Sequence, residues 1–447
     1  MKNGFDKTRQ SPHWWLMDGR IINSEMQEKL GLLAPRLEEA RTFLESIDDW
    51  VIQRQIELTS IPAPPFQEAA RGIRMAELME EVGLKEVKTD EAGNVIGRFK
   101  SDRSHRSHGV APSGAVAPGK ILPRSGMGPL ILSAHLDTVF APGTDITIKT
   151  DGARVSAPGI CDDGRGLTAI LAAAKTLSAL RHSLSRDVLF VATVGEEGPG
   201  NLRGVRHLFR KGQEAAEAAG FISLDGVGAD RIIHRGVGSV RLRITLEGSG
   251  GHSWMDFGLA NPIHVLGRVV ARAGSIPLPE DPRTSLTVAR WGGGTSINAI
   301  PQAAWIEVDL RSEGPRQLEK LEESLRNICA EEPEVCDDSS SRREGLALRI
   351  QDLGRRPAGA TDPSHPLVQA AVEASRSLGQ EPTLLASSTD ANLPMSLGIP
   401  AITLGAGGRG GRIHTEEEWF ENENGPEGIL RAVLTVLLFD LPGPSAP

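Results

Sequence analysis

The sequence predicts an α/β protein whose first domain, built of buried strands and helices, is interrupted by an inserted ferredoxin-like α+β domain. Two domains fit a length of 447 residues better than one. Several short apolar runs have the length of strands buried on both faces, and helical patterns separate them. Residues 238–353 instead follow the order β-α-β-β-α-β, which is typical of a ferredoxin-like sandwich. The first domain therefore comprises residues 26–237 and 354–447.

The N-terminal part of the first domain is predicted to be helical. Residues 1–25 show no regular pattern and are expected to form an irregular arm. Apolar residues then recur at helical spacing from about 26 to 58, until a proline-rich segment ends the pattern, and a further helix is expected over about 67–82. Residues 101–128 are rich in Ser, Gly, Pro, Arg and His, so we expect them to be an exposed, flexible insertion.

The later strands of the first domain are predicted from continuous apolar runs. The elements that complete it are, in chain order, strands at 86–88, 94–99 and 129–134, a helix over 165–180, strands at 187–193 and 220–224, a helix over 366–378, strands at 383–386 and 400–405, and a helix over 428–438. The inserted domain has strands at 240–246, 285–291, 303–311 and 346–350, with helices over 262–273 and 315–328. Four of the apolar runs precede a carboxylate or an imidazole, and open α/β sheets bind ligands at the carboxyl ends of their strands.

Bulk composition excludes several classes of protein. The formal net charge of −9, with acidic residues spread along the chain, argues against nucleic acid as a partner. No apolar run reaches about 18 residues, so no transmembrane helix and no membrane partner are expected. The N-terminus lacks the apolar core of a signal peptide, and three cysteines do not make a disulfide framework, so we expect a cytoplasmic protein. The absence of tyrosine excludes any mechanism that needs a phenol.

The run at 129–134 ends in His135, Leu136 and Asp137. Residues two apart on a strand share a face, so His135 and Asp137 are expected to point the same way. His135 would offer one ring nitrogen to a metal ion, and Asp137 would orient the ring through the other. A His-x-Asp sequence alone is a weak signal, and the later acidic residues give it its weight.

Five residues are candidate metal ligands. Imidazole and carboxylate groups without thiolates suit Zn²⁺, Co²⁺ or Mn²⁺ in a hydrolytic site. Five such groups exceed the needs of one four-coordinate ion and fit two ions that share a bridging carboxylate. Asp162, just before a helix, is the expected bridge, although taken alone it would more simply be an ordinary helix cap together with its neighbour Asp163. The candidates are His135, Asp162, Glu197, Asp225 and His414.

The adjacent pair Glu196 and Glu197 suggests a division of labour. Glu197 would bind metal, while Glu196 would act as the general base that takes the proton from the attacking water and returns it to the leaving amine. The alternative is a solvated acidic loop, the usual setting of two consecutive glutamates. Cys161, beside Asp162, could be a soft ligand, but a small buried side chain is the favoured interpretation.

An ordered series of motifs resembles the dinuclear-zinc peptidase and deacylase family, which includes peptidase T, carboxypeptidase G, acetylornithine deacetylase, succinyl-diaminopimelate desuccinylase and aminoacylase. The motifs are HLDT (135–138), ICDDG (160–164), GEEGPGNLRG (195–204), SLDG (223–226), GSGGHS (248–253) and RIHTEEEW (412–419). The resemblance implies a zinc-exopeptidase-like three-layer catalytic domain with an inserted lid and dimerisation domain. It also implies the five ligands above, Asp162 as the bridge, Glu196 as base, Asp137 behind the ligands, and a cis peptide between Asp162 and Asp163.

The resemblance extends to the inserted domain and to one later loop. His252 is similar to the family's lid histidine, which helps to hold the oxyanion of the scissile carbonyl, often from the partner subunit of a dimer. Asn298 and Arg311 resemble the lid residues that bind substrate, and Asp390 lies in a segment like the family's substrate-side loop. Arg311 could bind a terminal carboxylate in bidentate fashion or form a salt bridge within its own domain.

These similarities predict a metal-dependent exopeptidase that cleaves short peptides, of the dipeptidase, tripeptidase or aminopeptidase type. Two divalent ions, most simply Zn²⁺, and a homodimer are expected. An N-acyl amino acid amidohydrolase is the alternative, because both activities cleave an amide next to a residue that bears a carboxylate. A catalytically inactive binding protein on the same fold is a lesser alternative, since all five ligands and Glu196 are present.

Overall fold

The structure is a computed structural model, and it describes residues 24–101, 128–180, 184–332, 335–336 and 345–441. The predicted arm at 1–25 and the predicted insertion at 101–128 lie almost wholly outside these residues. No helix in the described ranges is long and apolar enough to cross a membrane.

Helices α1–α10 and strands β1–β20 follow one another along the described chain. The helices are α1 Ser24–Ser46, α2 Asp48–Thr59, α3 Ala69–Glu81, α4 Gly164–Ala179, α5 Arg203–Leu208, α6 Pro262–Ala273, α7 Pro315–Ala330, α8 Pro366–Ser377, α9 Asn392–Ser396 and α10 Gly425–Asp440. The first ten strands are β1 Lys85–Thr89, β2 Val95–Phe99, β3 Leu130–His135, β4 Lys149–Asp151, β5 Arg154–Ser156, β6 Val188–Thr193, β7 Gly220–Leu224, β8 Arg231–Gly236, β9 Gly238–Glu247 and β10 Gly251–His252. The others are β11 Thr284–Gly293, β12 Ala299–Ile300, β13 Ala303–Ser312, β14 Val335–Cys336, β15 Leu346–Arg356, β16 Gly359–Ala360, β17 Thr383–Ser387, β18 Ala401–Leu404, β19 Arg409–Gly411 and β20 Trp419–Glu421.

The large sheet of the first domain has the order β1-β2-β6-β3-β7-β18-β8-β16, with β17 paired to β8. Its centre, β6-β3-β7-β18, is parallel throughout. These four strands are the apolar runs predicted from the sequence, and all their residues are buried. Because they are parallel, their carboxyl ends lie along one edge of the sheet, where ligands are bound in open α/β folds.

Helices cover both faces of this sheet and make the three layers that the resemblance implies. Alternate residues of a strand point to opposite faces. Thus Leu130 and Leu132 pack into the core formed with α4, α8 and α10, while Ile131 packs against α5 and the segment around α9. The N-terminal helices α1 and α2 join the first of these layers, which is why the pattern at 26–58 repeats with a helical period.

The inserted domain has the predicted β-α-β-β-α-β order. Its sheet runs β11-β13-β9-β15-β14, and β13 is antiparallel to both of its neighbours. Alternating residues Val240, Leu242 and Ile244 face α6 and α7 in a core of their own. Strand β15 runs beyond the predicted boundary at 353 and ends at Arg356, next to the first domain.

A small sheet that the sequence did not reveal, β19-β20-β5-β4, lies beside the edge where the parallel strands end. Strands β19 and β20 form a hairpin, and β20 pairs with β5. The hairpin loop carries residues 412–418, and the segment after β5 leads to Asp162. This sheet therefore brings two of the sequence motifs together although they are some 250 residues apart in the chain.

Candidate active site

Acidic and imidazole side chains meet where the parallel strands of the large sheet end. Each lies at the end of a strand or in the loop that follows one, because a strand delivers a side chain into an open crevice only at its end. The residues, in chain order, are His135 as the last residue of β3, Glu196 and Glu197 just after β6, Asp225 directly after β7, and His414 in the loop between β19 and β20.

Two imidazoles and two carboxylates are in direct contact. His135 Nε2 lies 2.8 Å from Asp162 Oδ1, and His414 Nε2 lies 2.9 Å from Asp162 Oδ2. His414 Nε2 is also 3.0 Å from Glu197 Oε1. His414 adopts a left-handed backbone conformation with a φ of 68°, which aims its ring back toward the strand ends. Asp162 thus lies between the two histidines, in the position expected of a bridging ligand.

The neighbouring aspartates have separate roles. Asp163 is the N-cap of α4, and its Oδ1 accepts a hydrogen bond from the Gly166 amide at 3.0 Å. Its Oδ2 accepts from the backbone amide of His135 at 2.9 Å. The helix-cap role, which was the alternative interpretation of Asp162, is therefore taken by Asp163. The side chain of Asp162 contacts the two histidines instead. The peptide bond between the two aspartates is cis, as the resemblance implied.

The side chains form two overlapping groups that could hold a metal ion, and both groups contain His135. In each of two groups, one potential ligand atom per residue lies within 4.8 Å of the others: His135 with Asp162 and Glu197, and His135 with Asp163 and Asp225. Imidazole nitrogens and carboxylate oxygens suit Zn²⁺, Co²⁺ or Mn²⁺. The thiol of Cys161 does not take part, because this residue is buried and its sulfur lies 3.1 Å from the carbonyl oxygen of Trp419.

The pKa values of these groups reflect crowded acids with few counter-charges. Burial and the negative charge of Asp162 raise the pKa of Asp225 to about 7. Hydrogen bonds to Asp162 and Glu197 raise the pKa of His414 to about 10. Burial disfavours the ionised form of Asp162, but hydrogen bonds from both histidines outweigh burial and keep its pKa below the usual range. Such a cluster favours bound cations.

Asp137 orients the loop that carries Glu196 and Glu197. Its Oδ1 and Oδ2 accept hydrogen bonds from the backbone amides of these residues at 3.0 and 2.8 Å. The His135 ring is fixed by the backbone carbonyl of Asp137, 2.9 Å from Nδ1, whereas the carboxylate lies 3.8 Å from that nitrogen. Asp137 therefore positions the candidate ligand Glu197 and the candidate base Glu196 together. It contacts the histidine ring through its main-chain carbonyl rather than through the expected carboxylate.

Replacing Asp137 by Asn is expected to lower kcat by about 10- to 100-fold. The amide group would turn an N–H toward one of the two backbone amides that the carboxylate now accepts, so the loop would shift. Asp90→Asn is the matched control, because Asp90 also accepts three backbone amides, those of Ala92, Gly93 and Asn94, but does not line the cavity described below. Steady-state kinetics that give the same kcat for Asp137→Asn and wild type would contradict this role.

Glu196 forms a buried ion pair that the sequence did not reveal. Its Oε1 accepts a hydrogen bond from Arg356 Nη1 at 2.7 Å, and its main-chain carbonyl accepts from Arg356 Nη2. Arg356 also contacts Ser388 Oγ at 3.1 Å. Burial raises the pKa of Glu196 well above its usual range even though Arg356 opposes that shift. A raised pKa suits a group that must accept and release a proton near neutral pH.

Glu418, in the motif that also carries His414, holds the loop before α4. It is fully buried, and its carboxylate accepts hydrogen bonds from the amides of Gly159, Cys161 and Asp162 at 3.1, 2.7 and 3.1 Å. Burial raises its pKa to about 7. Glu418 therefore fixes the backbone of Asp162, the candidate bridging ligand. The acidic sequence HTEEEW alone does not distinguish this buried role from surface charge.

A cavity of about 500 Å³ opens over these residues. Of the lid residues expected at the substrate, Arg311 lines it, whereas His252 and Asn298 are exposed and do not. Asp390 does not line it either, because its carboxylate is buried and accepts a hydrogen bond from Thr193 Oγ1 at 2.5 Å. The described residues that line the cavity are His135, Val139, Asp162, Glu196, Glu197, Gly198, Asp225, Gly226, Arg231, Ile233, Arg241, Arg311, Arg356, Ser387, Ser388, Thr389, Thr403, Leu404, Gly405, Ile413 and His414.

Comparison with known proteins agrees with this geometry. The sequence profile of peptidase family M20/M25/M40 matches residues 131–437. The chain belongs to this family. The matched range includes the five candidate ligands, the inserted domain and the parallel centre of the large sheet apart from Leu130. No curated protein matched the chain.

Solved structures of M20-like peptidases share the fold at low identity. Aminopeptidase PepT from Bacillus cereus is 20% identical, with a TM-score of 0.68 over 87% of this chain and 98% of that one. A tripeptidase from Staphylococcus aureus is 18% identical, with a TM-score of 0.68 and coverage of 87% and 98%. The dipeptidase Dug1p from Saccharomyces cerevisiae is 15% identical, with a TM-score of 0.66 and coverage of 90% and 98%. The M20 fold and a hydrolytic metallopeptidase are thereby confirmed.

Proposed function

We propose that the protein is a two-metal exopeptidase that hydrolyses the terminal amide bond of short peptides. The observation that carries this proposal is the contact of His135 and His414 with one carboxylate, Asp162, beside the buried base Glu196. His135, Asp162, Glu197, Asp225 and His414 would hold the ions. When bound, the ions activate water and polarise the scissile carbonyl.

The residues of the chain would supply the remaining parts of the reaction. Glu196 accepts the proton of the attacking water and passes it to the leaving amine, which requires a carboxylate that reaches into the cavity without binding metal. Arg311, on the lid side of the cavity, would hold the terminal carboxylate of the substrate. Asp137 and Glu418 keep the reacting groups in place through backbone amides.

A second activity, hydrolysis of N-acyl amino acids, is favoured by one observation. The carboxylates that line the cavity in the described chain are Asp162, Glu196, Glu197 and Asp225, and all of them have roles at the metals or as base. None is left to bind the ammonium group of a free N-terminus. A substrate without that group would therefore fit this lining as well as a peptide does.

Hydrolysis of a substrate panel tests both activities. The panel contains di- and tripeptides with free and acetylated N-termini and N-acetyl, N-succinyl and N-carbamoyl amino acids, each assayed with added zinc, cobalt or manganese and after chelation. Cleavage that is lost on chelation supports the proposal, and the preference for free or acylated amines decides between the two activities. No turnover of any substrate by protein with two bound ions would contradict both.

We further propose that the protein is a homodimer in which the lid carries His252 to the partner's site. His252 lies on β10, away from the cavity of its own chain. Around it, Trp254, Met255, Phe257 and Ile297 expose 81% or more of their surface to solvent. An exposed group of large apolar side chains of this kind marks an interface, because water contact with such a patch is unfavourable.

Mixing two inactive variants tests this arrangement. His252→Ala is expected to lower kcat by roughly 10²- to 10³-fold, as for the loss of one oxyanion donor. When equal amounts of the His252→Ala and Glu196→Gln proteins exchange subunits, about half of the dimers contain one subunit of each kind. Each mixed dimer has one complete site of two, so the mixture should recover about a quarter of wild-type activity. Recovery of no activity, or light scattering that shows only monomer, would contradict the proposal. Trp254→Ser should weaken the dimer. Leu397→Ser, which replaces an exposed apolar residue of the first domain, is the control and should not.

A further inference from the structure

The wall of the cavity carries arginine side chains in addition to the candidate metal ligands. Four arginines line it: Arg231, Arg241, Arg311 and Arg356. Arg356 is compensated by Glu196, with which it forms a buried ion pair. The other three guanidinium groups face a cavity in which the remaining acids, described above, are candidate metal ligands. The number of carboxylates that contact these three arginines within the described chain therefore indicates how much negative charge a ligand of the cavity can bring.

Arg241 and Arg311 share a single carboxylate. They lie on the same face of the lid sheet, because Arg241 pairs in register with Asp309 and Arg311 pairs with Ser239 on the neighbouring strand. Asp309 Oδ2 accepts a hydrogen bond from Arg311 Nε at 2.8 Å, while Oδ1 is 3.9 Å from Arg241 Nε. The carboxylate of Asp309 thus lies beside the Nε atom of each arginine. The Nη groups of both arginines have no hydrogen-bond partner among the described residues.

Arg231 has no carboxylate partner within the described chain. It is the first residue of β8, close to the loop that carries Asp225. Its Nη2 donates to the carbonyl oxygen of Val227 at 3.0 Å, which holds the side chain against this loop while the residue stays exposed at the cavity. With one carboxylate for the two lid arginines and none for Arg231, the wall carries two positive charges in excess.

We infer that the cavity selects substrates with two carboxylates, in which the residue that bears the terminal carboxylate also has an acidic side chain. Arg311 and Arg241 would take the terminal carboxylate, and Arg231 the side-chain carboxylate. This inference rests on the proposed function and narrows its substrates to short peptides, or N-acyl amino acids, that end in Asp or Glu. The second anionic subsite at Arg231 is its new element.

Electrostatic balance makes this specificity physically reasonable. A guanidinium group binds a carboxylate well because its planar pair of N–H donors matches the two oxygens. A neutral side chain of the same shape would leave Arg231 without its anion and would add no attraction. Burial and the charge of Arg356 lower the pKa of Arg241, which is consistent with a cationic surface that has too few anions of its own.

Paired substrates that differ in one charge test the inference. The pairs are Ala-Glu with Ala-Gln and N-acetyl-Glu with N-acetyl-Gln, because Glu and Gln have nearly the same shape. We expect kcat/KM to favour the Glu member of the pair that is cleaved by roughly 10- to 100-fold. Binding of L-glutamate and L-glutamine to the zinc-loaded protein, measured by calorimetry, should show the same preference without depending on turnover.

The variant Arg231→Gln should reduce the preference for Glu over Gln by roughly 10-fold, both in kcat/KM and in binding. Arg231→Lys should retain part of this preference. Arg235→Gln is the matched control. Arg235 lies on the same strand, β8, but it pairs with Glu313 at 3.3 Å and does not line the cavity. We expect Arg235→Gln to keep the wild-type ratio of Glu to Gln in both assays.

The outcomes separate this inference from the proposed function. Cleavage of both members of a pair at equal kcat/KM would overturn the inference and leave the exopeptidase proposal standing. An unchanged ratio in Arg231→Gln would overturn the subsite at Arg231. Tighter binding of glutamate than of glutamine, if Arg231→Gln abolished the difference, would support the subsite even if no amide were cleaved. In that case only the proposed function would fail.

Discussion

Replacing Glu196 by Gln is expected to lower kcat by roughly 10²- to 10⁴-fold while both metal ions stay bound. Gln keeps the shape of the side chain, and its carbonyl oxygen can still accept the hydrogen bond of Arg356 Nη1. It cannot accept the proton of the attacking water. KM should change little, because the interaction that is lost matters in the transition state rather than in substrate binding.

The measurement combines kinetics with metal analysis by mass spectrometry. Glu214→Gln is the matched control, since Glu214 also pairs with an arginine, Arg98 at 2.6 Å, but lies outside the cavity. It should have wild-type kcat. If Glu196→Gln retained more than a tenth of wild-type kcat, another group would have to be the base. If it lost metal instead, Glu196 would be a ligand.

Replacing Asp162 by Asn is expected to cause the largest loss of metal affinity of any single substitution. Asp162 contacts His135 and His414 directly, through a different carboxylate oxygen for each, so it would serve ions held by either histidine. Removing a charged ligand should weaken metal binding by more than the roughly 100-fold seen for outer residues. Turnover should fall roughly 10³-fold, because several kcal/mol of charge stabilisation in the transition state would be lost.

Thermal unfolding measures this effect without an activity assay. Zinc at 100 times its Kd should stabilise the wild-type protein by about 2.7 kcal/mol, and the same zinc concentration should stabilise Asp162→Asn far less. Asp145→Asn is the control, because Asp145 is exposed and its carboxylate only caps the turn at Thr147. An increase in Tm with zinc that is equal in Asp162→Asn and wild type would show that Asp162 is not a ligand.

The parts of the site that depend on where buried parallel strands end could be predicted from the sequence. The apolar runs that became β3, β6 and β7 are buried on both faces, so each had to be a central strand, and their parallel arrangement brought His135, Glu197 and Asp225 to one edge. The ferredoxin-like order of the lid was predictable for the same reason, since alternation and helical spacing are local signals.

Contacts between distant segments could not be predicted. Arg356 reaches Glu196 across 160 positions, and Glu418 holds the amide of Asp162 across 256. No local pattern distinguishes a buried arginine or glutamate from a solvated one, because burial here depends on how two domains and a small sheet pack. Asp390 is the converse case, because its motif was recognised from the sequence but its carboxylate accepts a hydrogen bond from Thr193 Oγ1 and does not line the cavity.

The ion pair of Arg356 and Glu196 bears on how separable the two domains are. Insertions of this kind are often treated as interchangeable modules that can be cut out and replaced by a linker. Here the last strand of the insertion, β15, ends in Arg356, whose guanidinium group compensates Glu196, the candidate base, in the other domain. Excision or exchange of the lid would displace a buried counter-charge, a loss that costs about 3–5 kcal/mol when one partner of such a pair is removed. A lid transplanted from a relative would therefore have to bring its own arginine at this position.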